Sequence, residues 1–243
     1  MQKVFYKDLG RIDYKSAWDY QEELVKQNAA IKAEARQKSE AFADIFSSNA
    51  VLDLKTTHYL LFCEHPPVYT LGKSGKMSNV LLSEQQMHDK EIEFFKTNRG
   101  GDITFHGLEQ IVGYPILDLE RFYTDIGKYL RELEEIIILT LAEFGIIGER
   151  SQGQTGVWLE PGIKGKERKI CAMGIRCSRW ITMHGFALNV NTDLSYFDNI
   201  IPCGIVDKQV TSMQKELGSD VDIDEVKDRI KYNFEKVFLV QII

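Results

Sequence analysis

The chain has 243 residues, 44% of them hydrophobic and 27% charged, with a formal net charge of −6. That size and balance suit one sizeable globular domain and exclude a disordered chain, and the acidic total argues against general nucleic-acid binding. The residues after Met1, QKVFYKDLG, lack the cationic start and apolar core of a secretory signal, and the longest apolar run, around Ile136 to Ala142, is far short of the roughly 18 residues of a membrane span. A cytoplasmic protein with no membrane segment is expected.

Residues 14 to 46 carry good helix formers with no proline or glycine, which predicts a long helix or helical pair whose alanine-rich, charged middle is an exposed extension. HYLLFCEHPPVYTLG, from His58, reads as strand, turn and strand around Pro66-Pro67. SEQQ at Ser83 to Gln86 has a capping-box pattern and opens a short helix. EIEFF, DITFH and IVGYPILDL are strand candidates. A helix starting near Thr124 or Asp125 has apolar residues at Ile126, Tyr129, Leu130, Leu133, Ile137, Leu141 and Phe144, and Gly145 stops it. GVWLEP, KICAMGI, WITMHG and FALNVN read as short strands, followed by a Pro-Cys-Gly loop and a tail of one or two helices from about 210 to 238, broken at Leu217-Gly218-Ser219. One α+β domain spanning residues 1–243, with mixed β-sheets and packed helices, accounts for this order.

Several segments bear on chemistry. LGKSGK, Leu71 to Lys76, is not a phosphate-binding loop, because Pro67 stands where that motif needs its first glycine. RGGDITFH, Arg99 to His106, combines a cation, two glycines that allow close backbone approach, and a β-run ending in an imidazole, a set able to face a ligand carbonyl. In KICAMGI, alternation sends Lys169, Cys171 and Met173 to one face of a strand. Cys203, between a proline and a glycine, is held in a rigid turn, either as a small packing residue or as a thiol kept for its reactivity. None of the four cysteines has C-x-x-C spacing, so neither a zinc site nor a dithiol motif is expected, and Cys171 and Cys177 sit at packing positions. Six basic residues between Lys164 and Arg179 (Lys164, Lys166, Arg168, Lys169, Arg176 and Arg179) against Glu167 form a candidate dock for an acidic protein. A thiol, an amine, a histidine and a glycine cradle form a set for acyl transfer through a thioester, with a neighbouring ammonium holding the thiolate. No metal or redox cofactor is required by such a set.

RGGDITFHG, VGYPILDL, KICAMGIRCSRWITMHGFALNVN and NIIPCGI, with EHPPVYTLG upstream, closely resemble the lipoyl(octanoyl) transferase family, the lipoate biosynthesis protein B octanoyltransferases. The likeness runs in order over about residues 57 to 207. It implies the α/β fold shared with lipoate and biotin protein ligases. It further implies transfer of an octanoyl group from octanoyl-acyl carrier protein to a lysine on the lipoyl domains of 2-oxoacid dehydrogenases and on the glycine cleavage H protein. By position, Cys203 corresponds to the acyl-thioester nucleophile and Lys169 to the residue that lowers its pKa. Arg99, Gly100, Gly101, Asp102, Ile103, Thr104, Phe105 and His106 correspond to one substrate-binding segment, Ala172, Met173 and Gly174 to a second, and Gly185, Phe186 and Ala187 to a third. Leu108 and Glu109 replace the family's usual proline and glycine after the histidine, so that this loop takes another turn or meets a partner differently. An ATP-dependent lipoate or biotin ligase on the same fold, which needs no nucleophilic cysteine, and a catalytically idle carrier-domain binding protein are the competing readings.

Overall fold

The computed structural model describes residues 1–43, 55–201 and 209–243. The first half runs β1 (Gln2–Arg11), α1 (Tyr14–Ala43), β2 (His58–Glu64), β3 (Val68–Leu71), α2 (Glu84–Asp89), β4 (Glu93–Lys96), β5 (Ile103–His106) and β6 (Gln110–Ile116). The second runs α3 (Ile126–Glu143), β7 (Glu149–Arg150), β8 (Val157–Leu159), β9 (Arg168–Ser178), β10 (Ile181–Asn189), β11 (Gln209–Val210), α4 (Met213–Leu217), α5 (Ile223–Phe238) and β12 (Val240–Ile242). Nine of these strands form one mixed sheet in the order β12, β1, β2, β6, β10, β9, β8, β7, with β11 parallel to β9. A second sheet holds β4, β3 and β5.

Period-two alternation sorts β2 between two cores: Leu60 and Phe62 face one side of the large sheet, Leu61 and Cys63 the other. The first side is covered by α3 and α5 through Tyr129, Leu133, Ile137, Val226, Ile230 and Phe234, all fully buried. Each such side chain contributes about 1.5–3 kcal/mol on leaving water. The opposite side is covered by α1 through Ala17, Leu24 and Val25. Its alanine-rich, charged middle, expected as an exposed extension, leaves Ala30, Ala33, Glu34 and Arg36 exposed while Asn28 and Lys32 are buried. A buried clip fixes it further along, where Lys32 Nζ meets Asp118 Oδ1 at 2.6 Å. The expected continuation of this helix beyond Ala43, to residue 46, lies outside the described residues.

Local signals hold at several ends. Ser83 and Gln86 form the reciprocal capping box of α2, Asp125 caps α3, and Gly145 follows α3 with φ 78°. Other features carry no such signal. WITMHG and FALNVN belong to one strand, β10, joined to β9 by a two-residue hairpin whose central residues, Arg179 and Trp180, both have positive φ (53° and 63°). Asn-Gly is the usual occupant of such a turn. Neither β1 nor β12 was expected. Their parallel pairing joins the two ends of the described chain.

The small sheet docks on the large one backbone to backbone. Gly100 N donates to Ile175 O at 2.8 Å, and a Cβ on Gly174 would stand 2.7 Å from Gly100 O. Only glycine lets the turn before β5 approach β9 this closely. Gly174→Ala is expected to cost about 2 kcal/mol of stability by overpacking and to lower turnover by displacing Arg99–Gly101, as read by chemical denaturation and steady-state assay.

Candidate active site

The docking of the two sheets encloses a cavity of about 290 Å³, close to the small end of the range for small-molecule sites, roughly 300–1,000 Å³. Arg99, Gly100, Gly101, Asp102, Ile103, Thr104 and His106 line it from the small sheet, and Lys169, Ala172, Met173, Gly174, Gly185, Phe186 and Ala187 from β9 and β10. Phe105 does not line it. It is fully buried against Tyr69 and stacks on Tyr196 with ring centroids 4.6 Å apart. Cys203 lies outside the described residues. On either side of that segment, Ile201 N donates to Asn79 O (2.8 Å), and Gln209 and Val210 line the cavity beside Lys169.

Lys169 reaches the cavity through a bulge. Trp158 pairs with Lys169 but Val157 pairs with Cys171, so β9 has one more residue than β8 at this point. Ile170 and Cys171 both enter the core, and Lys169 shares the cavity wall with Ala172 and Gly174. The expectation that simple alternation groups Lys169 with Cys171 is thereby corrected: the extra residue changes the parity of the strand. Lys169 Nζ lies 4.6 Å over the Trp158 ring, a cation–π contact that holds the ammonium at the wall. Cys63 and Cys171 are fully buried and Cys177 half-buried, and burial pushes all three thiols up, which keeps them protonated and agrees with packing roles for Cys171 and Cys177.

A directed chain of hydrogen bonds follows one wall. Arg99 Nη2 donates to Thr70 Oγ1 (2.8 Å) and O (2.6 Å), and Thr70 Oγ1 donates to His106 Nε2 (3.3 Å). His106 Nδ1 donates to Gln110 Oε1 (2.9 Å), Gln110 Nε2 to Asn189 Oδ1 (2.8 Å), and Asn189 Nδ2 to Thr211 O (3.0 Å). Thr211 N in turn donates to Lys169 O (3.0 Å). The final carbonyl can only accept, which fixes both amides and the histidine tautomer. Both nitrogens of His106 are thus engaged with protein, so its imidazole supports the wall instead of facing a ligand carbonyl. Thr70, Gln110, Asn189, Tyr14 and Trp158 carried no sequence signal as site residues. Thr70 meets Arg99 across 29 residues and Gln110 meets Asn189 across 79, beyond the reach of local patterns.

His184 is a further wall residue that periodicity does not reveal. Its φ of 57° is left-handed inside a strand, and its ring packs beside Trp18 and Tyr114 on the α1 side. Glu109 also adopts a left-handed φ, 57°, at the position where the family's usual glycine would do so freely. Its N–H donates to Glu64 Oε2 (2.7 Å), and its carbonyl accepts from Asn191 N and Thr192 Oγ1. The loop thus turns through a left-handed residue at Glu109.

Residues 13–235 match the family model described as the lipoyl protein ligase A/B catalytic domain. An octanoyltransferase of Flavobacterium johnsoniae is 57% identical over 243 residues, covering 100% of this chain and 99% of that protein. One of Christiangramia forsetii is 52% identical, covering 99% and 98%. Among solved structures, a bipartite lipoate protein ligase of Thermoplasma acidophilum superposes with a TM-score of 0.67 at 16% identity, covering 100% of this chain and 86% of that one. Lipoate-protein ligase A bound with ATP gives 0.65 at 15% identity, with 100% and 88% covered. These two structures share the fold with this chain. The chain belongs to the lipoyl protein ligase A/B catalytic-domain family and, within it, to the octanoyltransferases, which makes it an acyltransferase.

Four buried histidines give the fold a defined acid limit. Burial holds His58 and His65 down at about 4 and His184 at about 3, the last helped by Arg99 and Arg176, and it holds His106 well below 6.5. Between about pH 6.5 and 4 the unfolded chain binds protons that the folded one refuses, so stability falls as pH falls, by about 1.4 kcal/mol per pH unit for each such group. Chemical denaturation across pH 7.5 to 4 is expected to find a plateau above about pH 7 and a steep loss below 6.5. A flat profile would contradict neutral burial of these rings.

Proposed function

We propose that this octanoyltransferase takes its acyl group from octanoyl-acyl carrier protein and delivers it to a lysine on lipoyl domains of 2-oxoacid dehydrogenases and the glycine cleavage H protein, through a thioester on Cys203. The observation that carries this reading is the convergence of Lys169, Arg99–Asp102, Ala172–Gly174 and Gly185–Ala187 on one cavity. The β9–β10 hairpin supplies Lys169 and the last two of these segments, and Arg99–Asp102 comes to them from about 70 residues earlier in the chain. The small volume and the neighbouring apolar side chains of Met173, Ile175 and Phe186 suit a medium-length acyl tail. At about 0.8 kcal/mol per methylene, burying the octanoyl tail contributes roughly 5 kcal/mol. Association of two proteins then costs part of that gain.

In the first half-reaction the Cys203 thiolate attacks the octanoyl carbonyl, the new C–S bond forms, and the bond to the carrier's thiol breaks. The leaving sulfur takes a proton from the Lys169 ammonium, which becomes a neutral amine. In the second, the acceptor amine attacks the enzyme thioester, the amide C–N bond forms, and the bond to Cys203 breaks. Lys169 takes the proton released by the acceptor amine, which restores the thiolate and ammonium pair. The half-buried ammonium over Trp158, on the strand paired with β11, supports this role because it lies at the cavity beside the return from the Cys203 segment. Since the family's ligase members share this fold, the fold leaves the chemistry to the residues at the wall.

Intact mass spectrometry after mixing with octanoyl-acyl carrier protein, without ATP or acceptor, is expected to find one octanoyl adduct that is absent from Cys203→Ser. Product that forms only with ATP and free acid would sink the thioester route in favour of a ligase. Lys169→Ala is expected to move the alkylation pKa of Cys203 up toward about 8.5 and to lower kcat about a hundredfold or more. An unchanged alkylation profile would end the ion-pair role.

A further inference from the structure

In the basic stretch from Lys164 to Arg179, Lys166, Arg168 and Arg176 are held by this chain's own carboxylates, while Lys164 and Arg179 are exposed with no ion pair among the described residues. Arg168 grips Glu216 bidentately (2.7 and 2.6 Å) and also meets Glu160, which lies 3.7 Å from Lys166; Arg176 meets Glu22 at 2.7 Å. Lys169 is turned into the cavity. An incoming acidic protein would compete with these internal ion pairs.

The opposite holds at the rim made by LGKSGK. Lys73 N donates to Arg99 O (3.0 Å), Ser74 N to Gly101 O (3.1 Å) and Gly72 N to Asp102 O (3.1 Å), so this loop is laid directly on the turn that lines the cavity. The glycines make that contact possible: a Cβ on Gly72 would stand 2.3 Å from Gly101 O, and one on Gly75 2.8 Å from Asp102 Oδ1. Lys73 and Lys76 are exposed, as is Lys96, whose strand position pairs with Leu71 next to the loop. Their ammonium groups make no ion pair or hydrogen bond with the described residues. Asp102, whose Oδ1 lies beside Gly75, is already held by Asn79 Nδ2 and Ile103 N. Met77 and Leu81 follow this loop in the chain and are 47% and 54% exposed. Unpaired cations around adaptable apolar side chains, continuous with a cavity, form a surface for an acidic partner.

We infer that Lys73, Lys76 and Lys96, with Met77 and Leu81, dock the acidic acyl carrier protein that donates the acyl group. This rests on the octanoyl transfer reading above. The donor's thioester hangs from a phosphodiester-linked arm, an anion that three unpaired lysines at the cavity rim attract. The acceptor's reacting group is an amine, which brings no anion to these lysines. The donor is therefore the occupant that the charges favour.

The test uses the full chain and three assays: octanoyl-acyl carrier protein as donor, octanoyl-pantetheine as a small donor, and a lipoyl domain as acceptor. K73E/K76E is expected to raise KM for the carrier-protein donor about tenfold at low salt, to leave kcat and small-donor turnover within about twofold, and to flatten the salt dependence of kcat/KM. K73Q/K76Q should act in the same direction with a smaller effect, and K164E/K166E should change the donor KM less than about twofold. An unchanged donor KM in K73E/K76E with active wild type overturns the docking assignment alone. A rise in acceptor KM without a rise in donor KM overturns it in favour of acceptor docking, and equal slowing of the small donor overturns it as a distortion of the cavity. Wild type inert with both donors would overturn the transfer reading itself and the docking with it.

Discussion

The backbone contact between two sheets is the constraint on which the molecule depends. Gly100 N bonds Ile175 O, and Gly174 leaves room for the Gly100 carbonyl. Gly174 presents no side chain to the turn that opens β5, so the two sheets meet at hydrogen-bonding distance and their walls close a cavity. Arg99 then reaches Thr70, and through it the polar wall, from a position set by that contact. The three segments that line the cavity are held relative to one another by backbone geometry, which is stiffer than side-chain packing alone.

A polar chain in a buried wall is costly unless every donor finds an acceptor. Here the polarity runs one way, from the Arg99 guanidinium to the Thr211 carbonyl, and a neutral His106 with its proton on Nδ1 is the intermediate that completes it. Thr211 adjoins Lys169 in the parallel pairing of β11 with β9, so the wall that begins at the glycine turn ends at the proposed base. Of the buried neutral rings, His106 and His184 line the cavity and add no charge to it.

The fold places few limits on reaction type. A lipoate-protein ligase solved with ATP bound and this octanoyltransferase share it, which leaves the chemistry to the groups presented at the cavity and the surface beside it. In this chain the strand that carries Lys169 is anchored by the paired Arg168 and Glu216, whereas the lysines of the glycine rim are left to solvent. Charge used inside the fold and charge left outside it thus serve different purposes within one small region.

The amino-acid sequence by itself determined the local pieces whose cause is local. The caps at Ser83 and Asp125, the stop at Gly145, most strands of the two sheets, and the segments of the site are legible because turn residues, caps and ordered motifs act over a few residues. Tertiary structure alone decided the parity of β9, since the bulge at Ile170 arises from pairing with β8 and reverses which neighbours share a face with Lys169. It also decided that Phe105 packs away from the cavity and that Thr70, Gln110 and Asn189 join one hydrogen-bond chain. The pairing of Arg168 with Glu216, 48 residues on, was likewise beyond local reading. Such choices depend on partners distant in sequence, and the free energy that selects them exists only once the sheets have met.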